Sequence, residues 1–196
     1  MKIISGTLKG RTISTTKDND YRPTSGRMKE AIFSVLSSGQ FINEETNESV
    51  LKDAIIIDLF GGIGALTFEA ISRGSNKGII IENNPANVKN LEINAVRLGV
   101  QAHVQIVRGT ALDLPTPPSY AAEKCSIAFL DPPFNKQLIS KAVLELTTKG
   151  WLANSALLII ESHVREKYEL GPNHTLIFSR KYGKAFFNIY KYSKPQ

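Results

Sequence analysis

The sequence predicts an α/β protein with a mostly parallel sheet that ends in an antiparallel hairpin. Three observations predict it. Short apolar runs alternate with helix-patterned stretches between residues 54 and 161. The first run, Ile55-Ile56-Ile57-Asp58, feeds a glycine turn at Gly61, Gly62 and Gly64, and a helical pattern opens at once with Leu66, Phe68, Glu69 and Ala70. The tail carries two strand-like runs, 174–180 and 185–192, with only Tyr182-Gly183-Lys184 between them.

Residues 2–15 alternate loosely around Gly6 and Gly10 and predict two short strands in a basic hairpin. Pro23 excludes Arg22 from helical space, and Thr24 or Ser25 can cap a helix whose apolar face is Ala31, Ile32, Val35 and Leu36. Residues 37–53 are polar and acidic, and 43–48 within them predict an exposed loop. The expected division is therefore a basic extension over 1–40, packed on a core over 50–196. In the core, strands are expected near 54–58, 78–82, 103–107, 126–130 and 156–161, with helices near 64–73, 85–98 and 136–148. Right-handed crossovers would cover both faces of the sheet with helices.

Composition bounds the function. A chain of 196 residues is long enough for a sizeable core in one domain. The single cysteine, Cys125, excludes an internal disulfide and reads as a buried thiol. His103, His163 and His174 have no metal-ligand spacing, so no metal is expected. No apolar stretch is long enough for a membrane span, and no secretory leader is evident, so a cytoplasmic protein is expected. The absence of an apolar seam suggests a monomer. Residues 1–29 hold seven basic side chains against two acidic ones, and residues 163–196 repeat that balance. Each end carries +5, which leaves −4 of the net +6 to the middle. Basic ends on an acidic middle predict a polyanionic partner.

The glycine turn predicts a nucleotide-like ligand at a helix N-terminus. Thr67 stands where a dinucleotide fingerprint requires its third glycine, and no phosphate-binding P-loop pattern exists. Asp58 just before the turn would repel a pyrophosphate but attract a cationic or zwitterionic ligand, which favours S-adenosylmethionine (SAM). Glu82 ends the second strand, where a carboxylate can accept ribose hydroxyls. Thr110 and Asp131 follow the third and fourth strands, so polar groups are expected along the carboxyl edge where such sheets bind ligands.

Asp131-Pro132-Pro133-Phe134 is the sharpest motif. Its prolines remove two N–H donors, so the turn offers carbonyl acceptors without competing donors. The Asp131 carboxylate and the Pro132 carbonyl suit the hydrogens of an exocyclic amine, and the Phe134 ring suits the face of an extruded base. In-line methyl transfer from SAM to that amine is the reaction implied. Adenine or guanine, in DNA or RNA, and a protein glutamine all remain compatible with this motif.

The chain resembles the RsmD family of bacterial methyltransferases over nearly its whole length. The resemblance rests on the Ile3-Ile4-Ser5-Gly6 start, Arg22-Pro23-Thr24 with Arg27, Asp58-Leu59-Phe60-Gly61, Gly64-Ala65-Leu66, Glu69-Ala70, Ser72-Arg73-Gly74, Glu82, Asp131-Pro132-Pro133-Phe134 and the closing hairpin. It implies a Rossmann-like class I SAM-dependent methyltransferase with a seven-stranded sheet, and a target at the guanine N2 amine of 16S ribosomal RNA in a partly assembled small subunit. It also implies that Asp58, Phe60, Gly61, Gly62 and Gly64 cradle the methionine end, that Glu82 takes the ribose, and that Thr110 and Ala111 border the adenine. Asp131, Pro132 and Phe134 would be catalytic. Arg11, Arg22, Thr24 and Arg27 would contact the RNA. The chain departs from the family's usual residues at Ile63 (Ser or Thr), Thr110 (Asp or Asn) and Asn84 (Asp). Two rivals are an adenine-N6 methyltransferase and a SAM-binding assembly factor without activity. A dehydrogenase is disfavoured by the missing third glycine.

Overall fold

The computed structural model describes residues 1–15, 26–42, 46–117 and 124–195. Its seven-stranded sheet has the order β3-β2-β1-β4-β5-β7-β6. The strands are β1 (Ile55–Asp58), β2 (Lys77–Glu82), β3 (Val104–Arg108), β4 (Cys125–Leu130), β5 (Leu152–His163), β6 (His174–Tyr182) and β7 (Ala185–Tyr192). β1 to β5 run parallel, and β7 lies antiparallel between β5 and β6. The helices are α1 (Gly26–Leu36), α2 (Ala65–Ser72), α3 (Pro85–Leu98) and α4 (Ile139–Thr148). Among the described residues, no helix is long and apolar enough to cross a membrane.

Apolar clusters cover both sheet faces. On one face α4 contributes Ile139, Ala142, Val143 and Leu146 to a cluster with β1, β2, β4 and β5. On the other, α1 contributes Met28, Ile32, Phe33 and Leu36 to a cluster with Ile56, Phe129, Phe187 and Ile189. The face of α1 is thus rotated from the expected one: Phe33 is fully buried against Phe129, while Ala31 and Val35 are only half-buried. The expected cap at Thr24 or Ser25 lies outside the described residues. Phe41 and Leu51, which flank the loop expected over 43–48, are buried in the α1 cluster, and residues 46–48 between them are exposed.

Three elements differ from their sequence readings for local reasons. β5 begins at Leu152 rather than near 156, because Ser155 adopts φ +63° and a register shift between Cys125 and Ile127 lets pairing continue past the turn-like Asn154-Ser155. α4 starts three residues later than expected, because Asn135 and Gln137 take left-handed φ values of +60° and +53°. The N-terminal hairpin forms only one antiparallel bridge, Lys2 with Thr12. Two of its donors dock it on α2: Thr7 N–H donates to the Ser72 carbonyl (2.8 Å) and Leu8 N–H to Ser72 Oγ (2.9 Å).

The hairpin, α1 and α2 meet at Glu69, which is fully buried. One carboxylate oxygen accepts from Ile4 N–H (2.8 Å) and Lys29 Nζ (2.9 Å), the other from Ser5 N–H (3.0 Å) and Arg73 Nε (2.9 Å). Lys29 is itself buried and also donates to the Lys2 carbonyl (2.9 Å). Burial opposes the charged form of Glu69, but the bonds from Ile4 and Lys29, with the charge of Lys29 and the bond from Arg73, outweigh it. The carboxyl pKa is held below its ordinary 4.5. A depressed carboxyl stabilises the fold above its unfolded pKa and loses that contribution as pH falls through the folded value. Glu69→Gln should therefore destabilise the protein by about 3 kcal/mol at pH 7, and by less at pH 3. Urea unfolding at both values checks this; an equal loss at both would show that the charge contributes nothing.

Candidate active site

The parallel strands fix where a site can form. β2 and β4 flank β1, and the chain winds outward in opposite senses from this centre, which leaves a crevice at the carboxyl ends of β1 and β4. Asp58 is the last residue of β1, Glu82 the last of β2, and Asp131 follows β4 directly. Thr110 lies beyond β3, is exposed, and accepts Leu112 N–H on its hydroxyl (3.2 Å). Ala111 beside it is buried. Phe60 is half-buried against the α4-side cluster.

The glycine turn is tightly determined. Gly64, the residue preceding α2, has φ +80°, and a Cβ there would fall within 3 Å of Phe68 and Leu91. Gly61 N–H donates to the Ile81 carbonyl (3.0 Å), tying the turn to β2. Glu82 closes the same link from its side chain: one oxygen accepts Gly62 N–H and the other Asn84 N–H, both at 2.7 Å. Each carboxylate oxygen retains a lone pair for a further donor.

Thr67, noted in the sequence only as a missing glycine, has two roles. Its hydroxyl donates to Asp58 Oδ2 (3.1 Å), and its methyl occupies the space beside Gly78, where a Cβ would lie 2.4 Å from it. The close helix–strand approach that a dinucleotide fold obtains with a glycine in the helix is thus obtained here with a glycine in β2. Asn84, flagged only as a departure, caps α3 by accepting from Ala86 N–H (2.8 Å) and Asn87 N–H (3.4 Å). Asn and Asp serve equally there. Ile63 is fully buried with Ile3, Ile13, Phe68 and Leu91, so this position fills the seam beneath the N-terminal hairpin.

Asp58 is the electrostatic centre of the site. Burial raises its carboxyl from 3.8 to about 7. The Thr67 bond pulls the other way, Asp131 adds repulsion, the Phe60 backbone bond lowers it again, and Glu82 adds further repulsion. Three neighbouring carboxylates around one crevice form a site suited to a cationic group. Among the described residues no group of three or more His, Cys, Asp or Glu side chains could hold a metal ion.

The Asp131 turn presents a half-buried Asp131, a buried Pro132 and a half-buried Phe134. Phe134 packs against the cluster that includes α1, and its ring sits 5.6 Å from that of His163, tilted by 56°. Beyond it, Asn135 and Gln137 donate their N–H groups to Glu166 (3.4 and 3.2 Å). Neither His163 nor Glu166 carries a sequence signal for this role, because one ends β5, the other follows it, and both meet the turn only through the sheet.

The expected RNA contacts divide. Arg27 is exposed in the first turn of α1. Arg22 and Thr24 lie outside the described residues. The Arg11 guanidinium donates to the Leu98 and Arg97 carbonyls (2.7 and 3.0 Å) at the carboxyl end of α3, the helix end far from the crevice. It completes that helix terminus.

Comparison with known proteins is consistent with this architecture. The chain is 30% identical over 195 residues to Ribosomal RNA small subunit methyltransferase D of Escherichia coli strain K12, covering 97% of this chain and 89% of that one. It is 29% identical to an uncharacterized methylase, RP545, of Rickettsia prowazekii, over 98% of both chains. Its fold matches the solved structure of Escherichia coli yhhF, described as a candidate methyltransferase, with a TM-score of 0.79, 28% identity and coverage of 100% and 99%. The class I methyltransferase fold expected from the sequence is therefore present. Residues 1–191 match the family described as Conserved hypothetical protein 95, and the chain accordingly belongs to that family, the RsmD family of methyltransferases.

Proposed function

We propose that the protein transfers the methyl group of SAM to the exocyclic N2 amine of a guanine in 16S ribosomal RNA, within an assembled or partly assembled small subunit. Family membership supports the broader statement that it is a SAM-dependent ribosomal RNA methyltransferase. The observation that carries the reading is the meeting of Asp58, Glu82 and Asp131-Pro132-Pro133-Phe134 at the carboxyl ends of adjacent strands. The reading entails a cytoplasmic, monomeric enzyme that needs no metal.

The residues fit SAM. Asp58 is a buried carboxylate among carboxylates, and a cationic ligand relieves that repulsion. The Gly61–Gly64 turn would hold the methionine end, Glu82 has acceptor capacity left for ribose hydroxyls, and Thr110 and Ala111 would border the adenine. When bound, SAM supplies a methyl carbon on a sulfonium sulfur.

An aryl amine is a weak nucleophile because its lone pair is delocalised into the ring. The Asp131 carboxylate and the Pro132 carbonyl accept its two hydrogens, which favours tetrahedral nitrogen and frees the lone pair. The Phe134 ring, braced by His163, holds the base plane. Fixing amine and methyl together supplies much of the rate. The amine loses its proton after methyl transfer, so Asp131 need not be a strong base.

Two measurements test this. Labelled methyl from SAM should appear as N2-methylguanine in small subunits that lack native methylation, and Asp131→Ala should lower kcat at least a hundredfold with SAM affinity retained. Label on adenine would redirect the target. Label nowhere, with SAM bound, would favour the inactive assembly factor.

Asp58 gives a pH signature. Its folded pKa exceeds the unfolded one, so between about pH 4 and pH 7 the folded state alone holds the proton, and stability of the free protein falls by about 1.4 kcal/mol per pH unit. Asp58→Asn should abolish that slope in urea unfolding. SAM binding near pH 7 should release about half a proton from wild type, since a group with a pKa of about 7 is half protonated there, and none from the variant. Calorimetry in buffers of different ionisation heat reads this; equal release from both proteins would exclude Asp58 from the cationic subsite.

A further inference from the structure

The sheet brings three segments that are distant in sequence to one edge. His163, at the end of β5, pairs with Ala185, and Val164 N–H donates to the Lys184 carbonyl (3.0 Å). This seats residues 163–167 against the β6–β7 turn. Glu166 reaches the backbone of Asn135 and Gln137, and His163 lies against Phe134, so the same segment also abuts the Asp131 turn. Residues 134–137, 163–167 and 180–185 therefore form one continuous surface beside the expected base pocket.

That surface is strongly basic. It carries Lys136, Arg165, Lys167, Arg180, Lys181 and Lys184, all exposed. Its one acid, Glu166, is engaged with backbone N–H groups. Arg180 lies over the Tyr182 ring, its guanidinium carbon 5.5 Å from the centroid, which adds a flat stacking element. The structure also divides the basic tail. Lys191 pairs in register with Leu157, and Lys194 N–H donates to Asn154 near the start of β5, so both lie at the opposite end of the strands. The charge at the tip is thus sorted to the carboxyl edge rather than spread along the hairpin.

We propose that this arc seats RNA phosphates on one side of the extruded nucleotide. The proposal rests on the reading of the protein as an RNA methyltransferase. A base drawn into the Asp131 turn leaves a phosphate on each side of the pocket mouth. Phe134 lies against His163 and packs on the cluster that also holds Ala185 and Tyr182, so the arc borders the mouth. Exposed lysines and arginines beside a base-stacking ring match the chemistry of single-stranded RNA, in which backbone and base are held together.

The test compares two variants with the same change in charge: Arg165→Gln/Lys184→Gln in the arc and Lys191→Gln/Lys194→Gln at the far end. Each is assayed for binding to a single-stranded oligoribonucleotide across a salt series, for methyl transfer to unmethylated small subunits, for SAM affinity and for thermal unfolding. The arc variant should bind RNA about tenfold more weakly, with a salt slope shallower by about 1.4, as expected for two lost phosphate contacts. KM for subunits should rise while SAM affinity and melting temperature hold. The far-end variant should match wild type. Lys136→Gln, on a separate segment, should lower the slope by about 0.7. Equal losses in both double variants would mean that net charge alone acts, and would overturn the proposal. An unchanged arc variant, with wild type active on RNA, would overturn it while leaving the RNA methyltransferase reading intact. Wild type transferring methyl to no RNA would overturn both.

Discussion

The Glu82 carboxylate is the constraint on which the site's geometry depends. It spans two loops, accepting Gly62 N–H from the turn after β1 and Asn84 N–H at the start of α3. A charged acceptor on two backbone donors is a strong, short-range link. With it in place, the turn cannot drift from β2, and α3 begins where Asn84 can cap it. The crevice floor is therefore built from backbone held by a side chain, and the same side chain faces the position expected for the ribose. Structural support and the proposed ribose contact converge on one residue because β1 and β2 are neighbours and end at the same level.

Two buried carboxylates linked to α2 show opposite solutions to burial. Glu69 is surrounded by Lys29, Arg73 and two backbone N–H groups, and it stays ionised. Asp58 has a hydroxyl, a backbone bond and two further carboxylates, and it holds its proton near neutrality. The first arrangement is complete within the chain and fastens the N-terminal hairpin and α1 to the core. The second is incomplete within the chain, the mark of a position that awaits a partner. Neither could be assigned from residue identity alone, since both are acids within apolar-rich sequence.

The parallel strands and their order of alternation were legible because buried parallel strands read as apolar runs such as Ile55-Ile56-Ile57 and Ile79-Ile80-Ile81. α3 was legible to the residue because Pro85 opens it and Gly99 closes it. Legibility failed where distant contacts override local pattern. Asn154-Ser155 resembles a turn, yet a bulge carries β5 through it. Residues 136–138 look helical, yet the backbone there bends to meet Glu166. Lys29 reads as a solvated charge on α1, yet its amine meets Glu69 forty residues later. In the site, Asp58, Glu82 and Asp131 were legible from their strand-end positions. Thr67, His163 and Glu166 were not, because their roles arise only from packing across the sheet.

The position of β7 has a consequence for assembly. β7 follows β6 in sequence but lies between β5 and β6 in the sheet. β6 therefore has no strand to pair with until β7 exists, and loss of the last strand would detach two strands from the sheet rather than one. As the chain leaves the ribosome, the crevice between β1 and β4 emerges before the β6–β7 hairpin. The crevice needs the chain only through β4 and the turn after it, whereas the surface beside Phe134 is completed only when β7 has been made.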